Sequence, residues 1–239
     1  MKKILLTKVA FFLALSFGTA QSTCEFFSKS NTFFKANVKN GRVTYKKINS
    51  NTSELDNLLE MAKGISVSTD KASEYQSFWI NAYNLSVIKG VIDNYPLKKS
   101  LVNIGGFFDK TTYELGGTSI TLNDIENKML RAKFPKEPRF HFVLVCGGLG
   151  CPPIIASAYK PSTLDAQLTT QTKKAINDSN FIRVNKNKVQ LSQIFEWYKG
   201  DFEHDGNLVD FINKYKSEQL PEKAKVSYYQ YDWTLNEAK

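Results

Sequence analysis

Cys146 and Cys151 bracket the run Gly147-Gly148-Leu149-Gly150, Pro152-Pro153 follows, and His141 stands just upstream. A loop this rich in glycine is flexible enough to bring two sulfurs together. Several chemistries are open to it. The pair can close as a structural disulfide, or serve as a redox or nucleophilic thiol activated by imidazole. It can also bind a metal with His141, although the spacing is not the Cys-x-x-Cys of zinc ribbons or thioredoxins. The closely placed backbone amides of the glycines could instead hold an anion.

Arg139–Cys146 is almost wholly apolar and rich in Phe, Val and Leu, which predicts a buried central strand. On a strand, His141 faces away from Cys146, so Cys151, beyond the loop, is its better partner. A strand histidine can equally be a hydrogen-bonded core residue. Glu126 lies in the first turns of a helix beginning near Asn123. There it either complements the helix dipole or acts as general acid/base and orienter of His141. Asp201 and His204 read as surface residues.

The elements that must position these groups are visible in outline. Lys71–Tyr95 is the longest helical segment, apolar on most of its circumference and stopped by Pro96. Ser77, Asn81 and Asn84 share one of its faces, as a pocket wall or as a structural hydrogen-bond cluster. Helices are also expected from Ser53 to Ala62, from Thr121 to Arg131 and from Ser162 to Asn177, with short ones over Ser192–Lys199 and Asn207–Lys216. Gly116-Gly117 and Asn185–Lys188 each mark a hairpin, Val43–Tyr45 follows the turn Asn40-Gly41, and a last strand lies near Ser227–Trp233. The expected fold is α+β, a single domain with a mixed sheet packed against the buried central helix.

Of the 239 residues, 42% are hydrophobic and 23% charged, which excludes disordered, collagen-like and coiled-coil classes. Lys2 and Lys3, the apolar run Val9–Phe17 and the small residues Gly18-Thr19-Ala20 predict a signal peptide over 1–20. Lys8 leaves that run short of the ~20 apolar residues of a spanning helix. The expected organisation is therefore a signal peptide (1–20), a loose tail (21–40) carrying Cys24 and one globular domain (41–239), secreted or periplasmic, with no transmembrane anchor after cleavage. The net charge of +9 comes from dispersed lysines without aromatic interleaving, so no nucleic acid is expected as a partner. Gly-x-Ser-x-Gly, phosphate-loop and His-Glu-x-x-His motifs are absent, and no cofactor is implied.

Phe78-Trp79-Ile80-Asn81-Ala82-Tyr83-Asn84 is similar to the signature of the domain of unknown function 547 family. So are Leu122–Glu126 with Leu130-Arg131, Pro138–Cys146, Cys151-Pro152-Pro153, Ser192–Tyr198 and Tyr231-Asp232-Trp233. The resemblance runs from about residue 70 to 233. It implies that Asn81, Asn84, Glu126, Arg139, His141, Cys146 and Cys151 occupy the family's signature positions, and it assigns no activity. Some eukaryotic relatives join this domain to glutaredoxin-like or coiled-coil segments. A distant likeness to transglutaminase and papain folds is also implied, but those folds start the central helix with a cysteine where this chain has Ser77.

Two expectations follow. One is an enzyme pocket with His141, Cys151, Cys146 and Glu126 as catalytic candidates and Asn81, Asn84 and Arg139 as substrate-binding ones, for hydrolysis or acyl transfer on a substrate left open. The other is a secreted binding or scaffold module with a structural Cys146–Cys151 disulfide, or else a thiol-redox protein.

Overall fold

A computed structural model describes residues 23–97, 100–221 and 223–239. The predicted signal peptide lies outside the described residues. Where a loose tail is expected, residues 23–37 form a helix, α1. Phe26, Phe27, Phe33 and Phe34, with Ser30 and Asn37, recur at helical spacing and are buried, so this segment belongs to the core. A short hairpin follows, β1 (Val38–Lys39) and β2 (Arg42–Val43). Its turn residues Asn40 and Gly41 both take positive φ, as a two-residue hairpin of this type requires.

α2 (Tyr45–Ser50) and α3 (Ser53–Gly64) lead to α4 (Ala72–Ile92), the predicted central helix. α4 is buried on nearly its whole circumference, packed by α2, α3 and the helical segment 122–131. The hairpin β3 (Thr112–Leu115) and β4 (Thr118–Thr121) turns at Gly116-Gly117 as predicted. The amides of those two glycines donate to the carbonyls of Ala62 and Lys63, satisfying the end of α3. The Thr121 hydroxyl accepts from the Asp124 amide and caps α5 (Leu122–Asp124), which widens at once into a π-helix, Ile125–Arg131.

The strand expected over Arg139–Cys146 does not form. Pro138–Phe142 is a 3-10 turn started by Glu137, whose carboxylate accepts from the Arg139 amide, and an irregular segment follows. Unbroken burial of Phe140–Val145 imitated a central strand, yet no strand lies alongside. Asn84 takes the place of one. Its amide donates to the Val143 carbonyl and its oxygen accepts from the Val145 amide, both at 2.9 Å. Asn81 grips Tyr159 in the same way, at 2.7 and 3.0 Å, and donates also to the Ser77 carbonyl.

α6 (Leu164–Asn177) precedes β5 (Ile182–Asn185) and β6 (Lys188–Ser192), an antiparallel hairpin, and β7 (Lys225–Tyr229) pairs parallel to β6. This sheet is mixed, as expected, but has only three strands and sits in a second core around Phe142, Phe195, Phe202 and Phe211. The central helix is covered chiefly by helices, with the β3–β4 hairpin lying against it at Gly90 and Trp79. α7 (Ile194–Trp197), α8 (Lys199–Phe202) and α9 (Leu208–Asn213) complete an α+β domain. The terminal segment stitches the two cores together: Leu149 and Gly150 donate to the Thr234 and Asp232 carbonyls, and Asn236 donates to the Gly147 carbonyl. Among the described residues no helix is long and apolar enough to cross a membrane.

Candidate functional site

Between the two cores lies a cavity of about 320 Å3, lined by Glu126, His141, both cysteines and a group of aromatic rings. Glu126 is delivered by the π-helix, a widened turn of the kind found at functional sites. His141 comes from the 3-10 turn. Its Nε2 lies 2.8 Å from Asp201 Oδ2 and its Nδ1 lies 3.9 Å from Glu126 Oε1, so the imidazole is held between two carboxylates. The ring stacks on Tyr198 with centroids 3.8 Å apart.

Asp201 is therefore no surface bystander. Arg131 grips it through two nitrogens, at 2.6 and 2.9 Å, and its guanidinium lies over the Tyr198 ring. Burial acts to raise the Asp201 carboxyl, but hydrogen bonds from His141 and Arg131 outweigh it and hold the group well below the usual carboxylate range. A carboxyl depressed by folding stabilises the native state above its unfolded value, about pH 4, and ceases to do so as the pH falls through its folded value. Asp201→Asn is accordingly expected to lower the melting temperature by a few degrees at pH 7. The difference from wild type should shrink towards zero in acid, as thermal melts from pH 7 to pH 2 would reveal. A gap that stays constant down to pH 2 would contradict this assignment.

At the cysteine pair the structure places Cys146 and Cys151 as a disulfide, with Cα atoms 6.5 Å apart. Cys151 Sγ accepts from the Cys146 amide at 3.0 Å and from the Tyr231 hydroxyl at 2.8 Å. Cys146 Sγ lies 2.8 Å from the same hydroxyl. Burial pushes the Tyr231 phenol up, which keeps its proton in place for donation. Gly150 makes this approach possible: a Cβ there would stand 2.8 Å from Tyr231 ring carbons. No hydrogen bond joins His141 to either sulfur, so they share a cavity rather than forming a contact pair.

Three other groups of candidates stand apart from this chemistry. Asn81 and Asn84 are buried, spend their amides on backbone and do not line the cavity, which leaves them a structural part. Ser77, on the same face, has no hydrogen-bond partner for its hydroxyl. Arg139 does not reach the cavity either. It is paired with Glu137 at 2.6 Å and Asp165 at 2.9 Å and donates to Thr169, tying α6 to the 3-10 turn. Three amides at the glycine loop are spent on backbone, since Leu149, Gly150 and Cys151 donate to the Thr234, Asp232 and Gly148 carbonyls, which takes them from an anion. No group of three or more potential metal ligands occurs among the described residues.

From the sequence Asp201 reads as a surface residue, and Arg131, Tyr198 and Tyr231 carry no assigned role. The last three lie inside or beside motif blocks, whereas Asp201 sits in the polar stretch Lys199-Gly200-Asp201 and carries no spacing signal. No curated protein matches the chain, and no solved structure does. Residues 67–176 match the family model described as protein of unknown function, DUF547; the match holds α4, Glu126, Arg131, His141 and both cysteines of the site, and ends before Asp201 and Tyr231. Over that segment, a little under half of its length, the chain is similar to the DUF547 family.

Proposed function

We propose that the cavity is the active site of a thiol enzyme acting outside the cytoplasm, with thiol–disulfide exchange as its reaction. The observation that carries this reading is the convergence of two donors, the Cys146 amide and the Tyr231 hydroxyl, on Cys151 Sγ at the wall of the cavity that His141 and Glu126 also line. Donors at a sulfur stabilise its thiolate, which makes Cys151 the better leaving group and, in the reverse direction, the better nucleophile. A substrate thiolate bonds to Cys146 Sγ, and the Cys146–Cys151 bond breaks with its electron pair leaving on Cys151. The second substrate thiolate then attacks the substrate sulfur of the mixed disulfide and expels Cys146. The substrate dithiol is oxidised, the cysteine pair is reduced, and the two substrate protons pass to the protein thiols, with His141 as carrier. An exported protein would meet such substrates, and residues 1–20 support that location.

A redox titration in glutathione buffers checks the reading. The Cys146–Cys151 pair is expected to open and close reversibly in the folded protein, and the reduced form to turn over with glutathione disulfide as the oxidant. A pair that stays closed in native protein under millimolar dithiothreitol would mark a structural disulfide and a binding module instead.

The same two donors favour a second reading, acyl transfer by the reduced protein. Cys151 thiolate bonds to a carbonyl carbon, the bond to the leaving oxygen breaks as that oxygen takes a proton from His141, and water releases the acyl group. A p-nitrophenyl ester burst seen only after reduction would distinguish it.

A further inference from the structure

One wall of the cavity has no part in the sulfur chemistry. Trp233 packs against Tyr231 with ring centroids 4.6 Å apart, against Trp197 at 6.2 Å and against Phe108 at 6.3 Å. Trp197 remains 47% exposed at this edge, one of few large apolar side chains so exposed among the described residues. Within the same cavity Glu126 presents a carboxylate that is only 13% exposed. Lysine and arginine are absent from the lining, and Arg131 is committed to Asp201.

We infer that this cavity binds an organic cation, an ammonium or guanidinium group on the substrate, between the Phe108–Trp233–Trp197 wall and the Glu126 carboxylate, an inference that rests on reading the cleft as the substrate site. The faces of aromatic rings carry negative quadrupole density and attract cations, most strongly for tryptophan. A carboxylate closed over by an uncharged ligand would lose water without gaining a counter-charge, which disfavours a purely apolar occupant. An anion would be repelled. A glycan needs several free planar polar groups, and the one amide side chain lining the cavity, Asn123, already accepts from Asn127. The neighbours of Glu126 compensate its charge only in part: Tyr198 hydrogen-bonds to it, Arg131 attracts it while pairing with Asp201, and the nearest His141 nitrogen stands 3.9 Å away on a ring whose short contact is with Asp201.

The test is a titration of oxidised wild-type protein with choline chloride and with its uncharged isostere 3,3-dimethylbutan-1-ol at constant ionic strength, read by tryptophan fluorescence. Choline is expected to bind saturably and about tenfold more tightly than the isostere. Glu126→Gln should remove about that factor for choline and leave the isostere unchanged. Trp197→Ala, at a half-exposed position, should weaken choline as well, with Trp233 still reporting and an unchanged thermal melt confirming the fold. N-acetyl-lysine amide and a lysine-centred tripeptide form further arms: tighter binding of the tripeptide identifies a peptide side chain as the source of the cation, and equal binding identifies a free small cation. Isostere binding as tight as choline, or no saturable binding of either, would overturn the inference. The readout needs no reactive sulfur. Cation binding beside an inert cysteine pair would retire the thiol reading alone, and thiol turnover without cation preference would retire this one alone.

Discussion

Asn84→Ala is expected to destabilise the protein by roughly 2–5 kcal/mol, because it leaves two buried backbone groups without partners at about 1–3 kcal/mol each. The groups are the Val143 carbonyl and the Val145 amide, and nothing else in the vicinity replaces the side chain that holds both. For a chain of this size the melting temperature should fall by about 5–15 °C. Asn81→Ala should be comparably damaging, since three hydrogen bonds to Ser77 and Tyr159 are lost. Ser77→Ala is the internal control. Its hydroxyl is buried without a hydrogen-bond partner, so removing it should be neutral or mildly stabilising. Thermal melts of the three variants decide the matter. Near-native stability of Asn84→Ala would mean that the asparagine is kept for a ligand rather than for the backbone.

The second large effect concerns the chemistry. Cys151→Ser is expected to abolish turnover in the exchange assay, because no other sulfur lies within the cavity except its own partner Cys146. His141→Ala should cost about 10²–10⁴-fold in rate, the usual worth of a positioned acid or base. Asp201→Asn should cost less than His141→Ala and act through the same group, so the double variant should be no slower than His141→Ala alone. Rates for the two singles and the double measure that coupling. Multiplying losses would separate Asp201 from His141 and undo the assignment of the pair.

What the sequence conveys depends on how local the physics is. The hairpins at Gly116-Gly117 and Asn185–Lys188 were legible because turn chemistry is set by adjacent residues. The central helix was legible because a long apolar stretch closed by proline leaves little choice. Residues 23–37 read as a tail only because of their position beside the expected cleavage site, although the spacing of Phe26, Phe27, Phe33 and Phe34 carries a helical face. Arg139–Cys146 failed for a different reason. Continuous burial has no period, and a segment held by an asparagine side chain reads like one held by a neighbouring strand.

The site divides along the same line. Glu126, His141, Cys146 and Cys151 were recognisable from residue type and motif, and the structure gathers all four around one cavity. Arg139 shares their motif block but is consumed by Glu137 and Asp165, a pairing between segments that spacing does not reveal. Asp201 and Tyr231 reach the site only through tertiary folding, sixty residues from His141 in one case and eighty from Cys151 in the other. Their roles emerge only when the chain is closed.

The account stands most directly on the thiolate of Cys151. The decisive measurement is the pH dependence of its alkylation in reduced, folded protein, followed by mass spectrometry and compared with the same cysteine after denaturation. The Cys146 amide and the Tyr231 hydroxyl should hold the thiolate, so the folded protein's profile should rise at distinctly lower pH than the denatured one. Tyr231→Phe should move it back towards the denatured profile. Coincident profiles for folded and denatured protein, unmoved by Tyr231→Phe, would contradict the assignment of Cys151 as an activated sulfur.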